Sequence, residues 1–172
     1  APGKAVLILG DNRARLYMSM IAVALLGGYA MPAYPGATLE ELQHFLGEVE
    51  IVAAVAEDQE QVDKILEVRD AGARGIAHII YDEARGLSFY EIDGLMSWDH
   101  LTAVGRHVLN EDPHRRENLL HRTKPEDPAI FLHSSGTTGK PKGIVLSQKN
   151  VLAAARNGHA GGTFDENEEI LA

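Results

Sequence analysis

The sequence predicts an α/β protein, a three-layer α/β/α arrangement in which helices cover both faces of a mainly parallel sheet. Short continuous apolar runs recur along the chain, and longer amphipathic segments with helix caps separate them. Continuous apolar runs are the pattern of strands buried on both faces, and their alternation with helices is the pattern of repeated βαβ units. A glycine- and hydroxyl-rich segment between the last two apolar runs is the third observation. It places a loop at one end of the sheet.

Ala5 to Leu9 is the first buried strand, bounded by Gly10. Asn12 to Leu26 follows as a helix, with Asp11 or Asn12 as its N-cap and Gly27-Gly28 as its stop. Tyr29 to Tyr34 is a short strand; Pro32 within it predicts an edge or irregular position, because proline cannot donate to a ladder. Thr38 to Leu46 opens with a capping-box pattern, Thr38 with Glu41, and stops at Gly47. Ile51 to Ala56 is another strand. Asp58 to Asp70 is a helix with Val62, Ile65, Leu66 and Arg69 on one face, ended by Gly72.

Ile76 to Tyr81 is the next strand, and Asp82 to Leu95 is a charged, glycine-containing connection. Ser97 caps a helix running to Leu109, and Asp112-Pro113 starts another that ends near Arg122, with proline at its first position. Pro128 to Leu132, a loop, Gly143 to Ser147 and a last helix from Gln148 to Asn157 complete the order. One domain is expected over residues 1–172, and the chain is long enough for a single core.

The connecting segment, Ser134-Ser135-Gly136-Thr137-Thr138-Gly139-Lys140-Pro141-Lys142-Gly143, has the composition of a phosphate-holding loop. Gly136, Gly139 and Gly143 lack a Cβ, so the backbone can take positive φ and turn its N–H groups towards an anion. Hydroxyls add donors, and Lys140 and Lys142 add charge. A Walker A loop is excluded by spacing, because Pro141 stands where its second glycine belongs, and the chain continues as a strand instead of opening a helix.

The net charge of −9 argues against nucleic acid as a partner, since binding a phosphate backbone needs clustered Lys and Arg. The absence of cysteine excludes a disulfide framework and thiolate metal sites and fits a cytoplasmic setting. The apolar stretch around Ile21 to Leu26 is shorter than the roughly 20 residues of a membrane span, so no transmembrane segment is expected. His100, His107, His114 and His121 recur at intervals of seven, but seven helical residues rise about 10.5 Å, too far to share an ion with bonds of about 2 Å. Met18, Met20 and Met31 are read as core filling and Trp98 as a packing anchor. The acidic run Asp165 to Glu169 is read as a solvated turn or helix start.

Ser134 to Gly143 matches every position of the signature of the adenylate-forming superfamily, Ser/Thr-Ser-Gly-Ser/Thr-Thr-Gly-x-Pro-Lys-Gly, which the chain therefore resembles. Gly10-Asp11-Asn12-Arg13, Tyr34-Pro35, Ala56 to Lys64 and Ser97-Trp98-Asp99-His100-Leu101 are similar to stretches of its bacterial long-chain acyl-CoA synthetases. His133 departs from the tyrosine usual there.

The resemblance implies a long-chain fatty acid–CoA ligase acting in two steps, with ATP, Mg²⁺ and coenzyme A. A fatty acid carboxylate attacks the α-phosphorus of ATP; the thiol of coenzyme A then displaces AMP from the acyl-adenylate. It implies ATP phosphate contacts from Ser134, Ser135, Gly136, Thr137, Thr138, Gly139 and Lys142, a Mg²⁺ contact from the Ser134 hydroxyl, and a secondary role for Lys140. The family's adenine, ribose and catalytic-lysine motifs have no match in these residues. The expectation is therefore an internal piece of a synthetase, inactive and weak in ATP binding by itself. Its partners would be the remaining subdomains of the same polypeptide, and the parent would be cytoplasmic or peripheral to a membrane. The alternatives are a stand-alone phosphate- or nucleotide-binding module, and another adenylate-former such as an aryl-CoA ligase.

Overall fold

The computed structural model describes residues 2–72, 75–120, 123–134 and 142–161. Seven strands and six helices follow one another as β1 (Ala5–Leu9), α1 (Ala14–Leu25), β2 (Tyr29–Ala33), α2 (Leu39–Glu48), β3 (Ile51–Ala56), α3 (Gln59–Asp70), β4 (His78–Tyr81), β5 (Leu95–Ser97), α4 (Trp98–Glu111), α5 (Arg115–Leu120), β6 (Pro128–Ser134), β7 (Lys142–Ser147) and α6 (Gln148–Ala160). The strands form one sheet in the order β5-β4-β3-β1-β2-β6-β7. The pairings from β5 through β6 are parallel, and β7 alone runs antiparallel.

Alternation along each strand divides the core between two faces. Leu7, Leu9, Met31, Ala54, Ala56 and Ile79 point to the side packed by Leu42 and Phe45 of α2 and by Val62, Ile65 and Val68 of α3. Ile8, Ala30, Val55 and Ile80 point to the other side, with Leu16 and Met20 of α1 and Trp98 at the start of α4. Each large aliphatic residue so buried contributes about 1.5–3 kcal/mol, which makes the first-mentioned face, holding most of the fully buried side chains, the thermodynamic centre. The three-layer α/β expectation is met. Among the described residues no helix is long and apolar enough to cross a membrane.

Several boundaries differ from the sequence reading, each for a local reason. Pro32 lies in β2, which is interior, between β1 and β6. It is tolerated because β2 pairs with β6 only at Ala30↔Ile130, so that side of the ladder has ended before Pro32 is reached. Helix α1 is capped by neither Asp11 nor Asn12: Arg13 occupies the N-cap without a side-chain bond, and Asn12 instead accepts from the Tyr17 hydroxyl at 2.7 Å. Its far end stops as expected. Gly27, at φ 78°, and Gly28 donate to Ala24 and Val23, a Schellman pair.

The Thr38–Glu41 capping box forms, but α2 runs through Gly47 to Glu48. In α3 Val62 and Ile65 are buried and Leu66 packs half-buried against the same core, as the sequence places them, while Gln61 and Val68 complete the buried face and Arg69 is only half-buried. Leu95–Ser97 is a strand that starts at the last residue of the expected connection and ends on the cap residue Ser97, too short to show periodicity. Pro113 lies in a turn before α5 instead of at its first position. Met31 is fully buried, yet Met18 is exposed on α1. His121, Arg122 and the acidic run Asp165 to Glu169 fall outside the described residues.

Candidate functional site

The carboxyl ends of β1, β2 and β6 lie side by side, and the chain leaves each in a different direction. This is the place in an open α/β sheet where a crevice forms. A cleft of about 620 Å³ opens there, lined by Gly10 and Asn12 after β1, by Pro32 and Ala33 at the end of β2, by Tyr34, Gly36 and Ala37 after it, by Glu41 and Phe45 of α2, and by Leu132, His133 and Ser134 of β6. A smaller hollow of about 230 Å³ adjoins it between Ile8, Asp11, Leu16, Tyr17 and Met20. The larger cleft is in the range of small-molecule sites.

Buried chemistry shapes the first wall. Glu57, just past β3, is 7% exposed, accepts the Asp11 backbone N–H at 2.6 Å and pairs with Arg13 Nη2 at 2.7 Å. Gly10 passes so close that a Cβ would stand 2.5 Å from Glu57 Cβ. One carboxylate therefore folds the whole Gly10 to Arg13 turn around itself, satisfying the charge that burial would otherwise penalise. The second wall is pinned by Lys64 of α3, which donates to the Pro35 carbonyl and pairs with Glu60 at 2.9 Å. Lys64 is also the main cause of the low pKa of Glu60. Tyr34 stands 85% exposed at the rim.

The third wall carries the candidate phosphate loop. Strands β6 and β7 form its antiparallel stem, and Ser134 faces Lys142 as the last registered pair. The Ser134 hydroxyl donates to the Lys142 carbonyl at 3.4 Å, and the Lys142 side chain is exposed. Of the seven residues singled out for ATP phosphate, Ser134 lines the cleft and Lys142 stands opposite it across the stem. Ser135, Gly136, Thr137, Thr138 and Gly139, with Lys140, lie outside the described residues. No group of three or more His, Cys, Asp or Glu that could hold a metal is found among the described residues.

Gly143 does not do what its place in the motif suggests. It lies within β7 without a positive φ, and a Cβ there would meet Phe131 Cζ at 2.4 Å. Space, not backbone freedom, is what glycine supplies at this position. His133, one residue before Ser134, has its side chain 8% exposed, stacked on Phe45 with centroids 3.6 Å apart and edge-on to Phe131 at 5.0 Å. Its Nε2 is 3.3 Å from Glu48 Oε2 but off the line of a good hydrogen bond, and neither ring nitrogen has an aligned partner. Burial lowers the His133 pKa, Glu48 opposes that, and His44 adds to it.

Glu57 and Lys64 lie in the Ala56 to Lys64 stretch that carries part of the resemblance, but sequence reasoning gave neither of them, nor Glu48, a role. Glu57 left a trace as a lone carboxylate between the strand ending at Ala56 and the N-cap Asp58; the other two are ordinary charges on helices until the fold aims them.

Fold and cleft together define an open α/β sheet protein with a crevice at the carboxyl ends of β1, β2 and β6, walled on one side by the end of β6. The whole chain, residues 1–172, matches the AMP-binding enzyme family, to which it belongs. It is 27% identical over 144 residues to the long-chain-fatty-acid–CoA ligase ACSBG2 of Homo sapiens, covering 84% of this chain and 21% of that protein. It is 26% identical over 164 residues to ACSBG1 of Rattus norvegicus, covering 95% and 22%. The chain thus spans about a fifth of the length of the curated relatives it matches.

Among solved structures, the acetoacetyl-CoA synthetase of Streptomyces lividans superposes with a TM-score of 0.69 at 23% identity, covering 92% of this chain and 24% of that one. The luciferase-like enzyme of the nonluminescent Zophobas morio mealworm gives 0.63 at 20% identity, covering 91% and 33%. At these identities the likeness is one of fold.

Proposed function

We propose that this chain is the phosphate-loop part of an ATP-dependent, AMP-forming long-chain fatty acid–CoA ligase. The observation that carries the reading is the β6–β7 stem, which sets Ser134, in the lining of the cleft, opposite Lys142, the two residues that flank the glycine-rich motif in the sequence. The long-chain acyl-CoA ligase relatives favour a fatty acid over an aryl acid as substrate.

In the first step a carboxylate oxygen bonds to the α-phosphorus of ATP while the bond to the bridging oxygen breaks and pyrophosphate leaves. Charge builds on the β- and γ-phosphates, and that is where this loop acts. The Ser135 and Thr137–Thr138 hydroxyls and the N–H groups of Gly136 to Gly139 hold the departing oxygens, and Lys142 balances their charge in place of water. Magnesium, when bound, would supply further neutralisation of the phosphates, and the Ser134 hydroxyl is the group of this chain that would contact it. In the second step the sulfur of coenzyme A attacks the acyl carbonyl and AMP departs.

The test is pyrophosphate exchange by the full-length protein carrying Lys142→Ala. The expected result is a fall of about 100-fold, comparable with losing one preorganised charge-stabilising donor, at unchanged folding. Exchange at the wild-type rate would reject the role of Lys142.

A further inference from the structure

The C-terminal turn of α2 is keyed to both strands that carry the loop. Glu48, the last residue of α2, places Oε2 3.3 Å from His133 Nε2 on β6. The same oxygen lies 2.9 Å from the position a Cβ would take at Gly143 on β7, so it rests directly against that backbone. Its other oxygen is 3.5 Å from His44 Nε2 on the preceding turn of α2. Phe45, between them in sequence, stacks on the His133 ring. His133 immediately precedes Ser134 and Gly143 immediately follows Lys142, so Glu48 sits beneath the two ends of the loop. Upstream on α2, Glu41 and Phe45 line the cleft.

We propose that Glu48 is a positioning residue for the phosphate loop, acting through His133 and the β7 backbone to hold Ser134 and Lys142 at their separation while the cleft is occupied. The proposal rests on the ligase reading above. A carboxylate only accepts, so the imidazole nitrogen facing it carries the proton, and Glu48 needs an oxygen rather than a charge to do this work. The buried nitrogens of His133 lack an aligned partner in the present arrangement. The Phe45 stack on His133 and the contact of Glu48 with the Gly143 backbone tie the α2 terminus to both strands of the stem, because stacked, packed side chains move together.

The experiment uses the full-length protein with Mg-ATP, palmitate and coenzyme A. Glu48→Ala is expected to raise KM for ATP about tenfold, within what a small misplacement of binding groups costs, with kcat and the palmitate KM held within about twofold. Glu48→Gln, which keeps the accepting oxygen, restores the ATP KM. His133→Phe, which keeps the ring stack and loses the nitrogens, reproduces the Glu48→Ala effect, and the double variant is no worse than either single one. An ATP KM unchanged in Glu48→Ala, in a protein where Lys142→Ala does impair ATP use, overturns the positioning role alone. If Lys142→Ala is also without effect, the ligase reading of the loop falls with it. Equal losses in all three parameters with a lowered melting temperature reduce Glu48 to a stability contact and likewise overturn the proposal.

Discussion

Replacing Gly143 with alanine separates the two things a glycine can supply, freedom of φ and absence of bulk. Built on the backbone, the new methyl carbon stands 2.4 Å from Phe131 Cζ, 3.0 Å from Phe131 Cε2 and 2.9 Å from Glu48 Oε2. Carbon pairs are comfortable at about 3.5–4.0 Å, so the ring must retreat by about 1 Å. Phe131 has little room, being 6% exposed and edge-on to His133. Overpacking of this kind costs about 1–3 kcal/mol. At about 2–4 °C per kcal/mol for a chain of this size, the melting temperature falls by roughly 2–12 °C, measured by scanning calorimetry on the 172-residue chain. Phe131→Leu removes the atoms that collide, so the double variant loses less than the sum of the single ones. Melting of Gly143→Ala at the wild-type temperature, joined to a raised ATP KM in the full-length protein, would refute the steric argument and return Gly143 to the phosphate loop.

Gly10→Ala meets the Glu57 Cβ at 2.5 Å and Leu16 Cδ2 at 2.8 Å from a residue at φ 154°, and is expected to cost about 3 kcal/mol in urea unfolding, the upper end for single substitutions. Thr38→Ala removes the capping box of α2 and costs about 0.5–2 kcal/mol, while Thr38→Ser retains most of it, as urea midpoints will show. His133, held below its ordinary 6.5 by burial, binds a proton more readily unfolded than folded. Its contribution to stability is therefore complete above pH 6.5 and declines as the pH falls below that value. Urea midpoints measured from pH 8 to pH 5 should drop, and less steeply in His133→Phe.

The sequence made the layers legible because burial on both faces leaves continuous apolar runs, as in Ala5 to Leu9 and Ile51 to Ala56, and because Thr38–Glu41 and Asp58 announce helix starts by local chemistry. It was silent where structure depends on a distant partner. β5 is three residues long and exists by pairing with β4; Pro32 is interior because β6 pairs only at Ala30. At the candidate site the motif located the loop and its two anchoring residues, while the carboxylates of Glu57 and Glu48 gain their meaning from turns 46 residues away and from strands 85 or more residues away. The reading of Gly143 erred because motif position says nothing of the Phe131 ring opposite.

The strand order also sets a schedule. β1 to β4 form contiguous parallel neighbours from the first half of the chain, whereas β6 reaches β2 at Ala30↔Ile130, 100 residues later. A ribosome adding about 5–20 residues per second makes Ala30 wait about 5–20 s for its partner, far longer than helices and hairpins need to form. Until then β2 is an outer strand, and the wall that completes the cleft is missing. The nascent protein thus acquires its scaffold before its binding mouth, and any factor that shields a bare strand edge during synthesis would act on β2 in that interval.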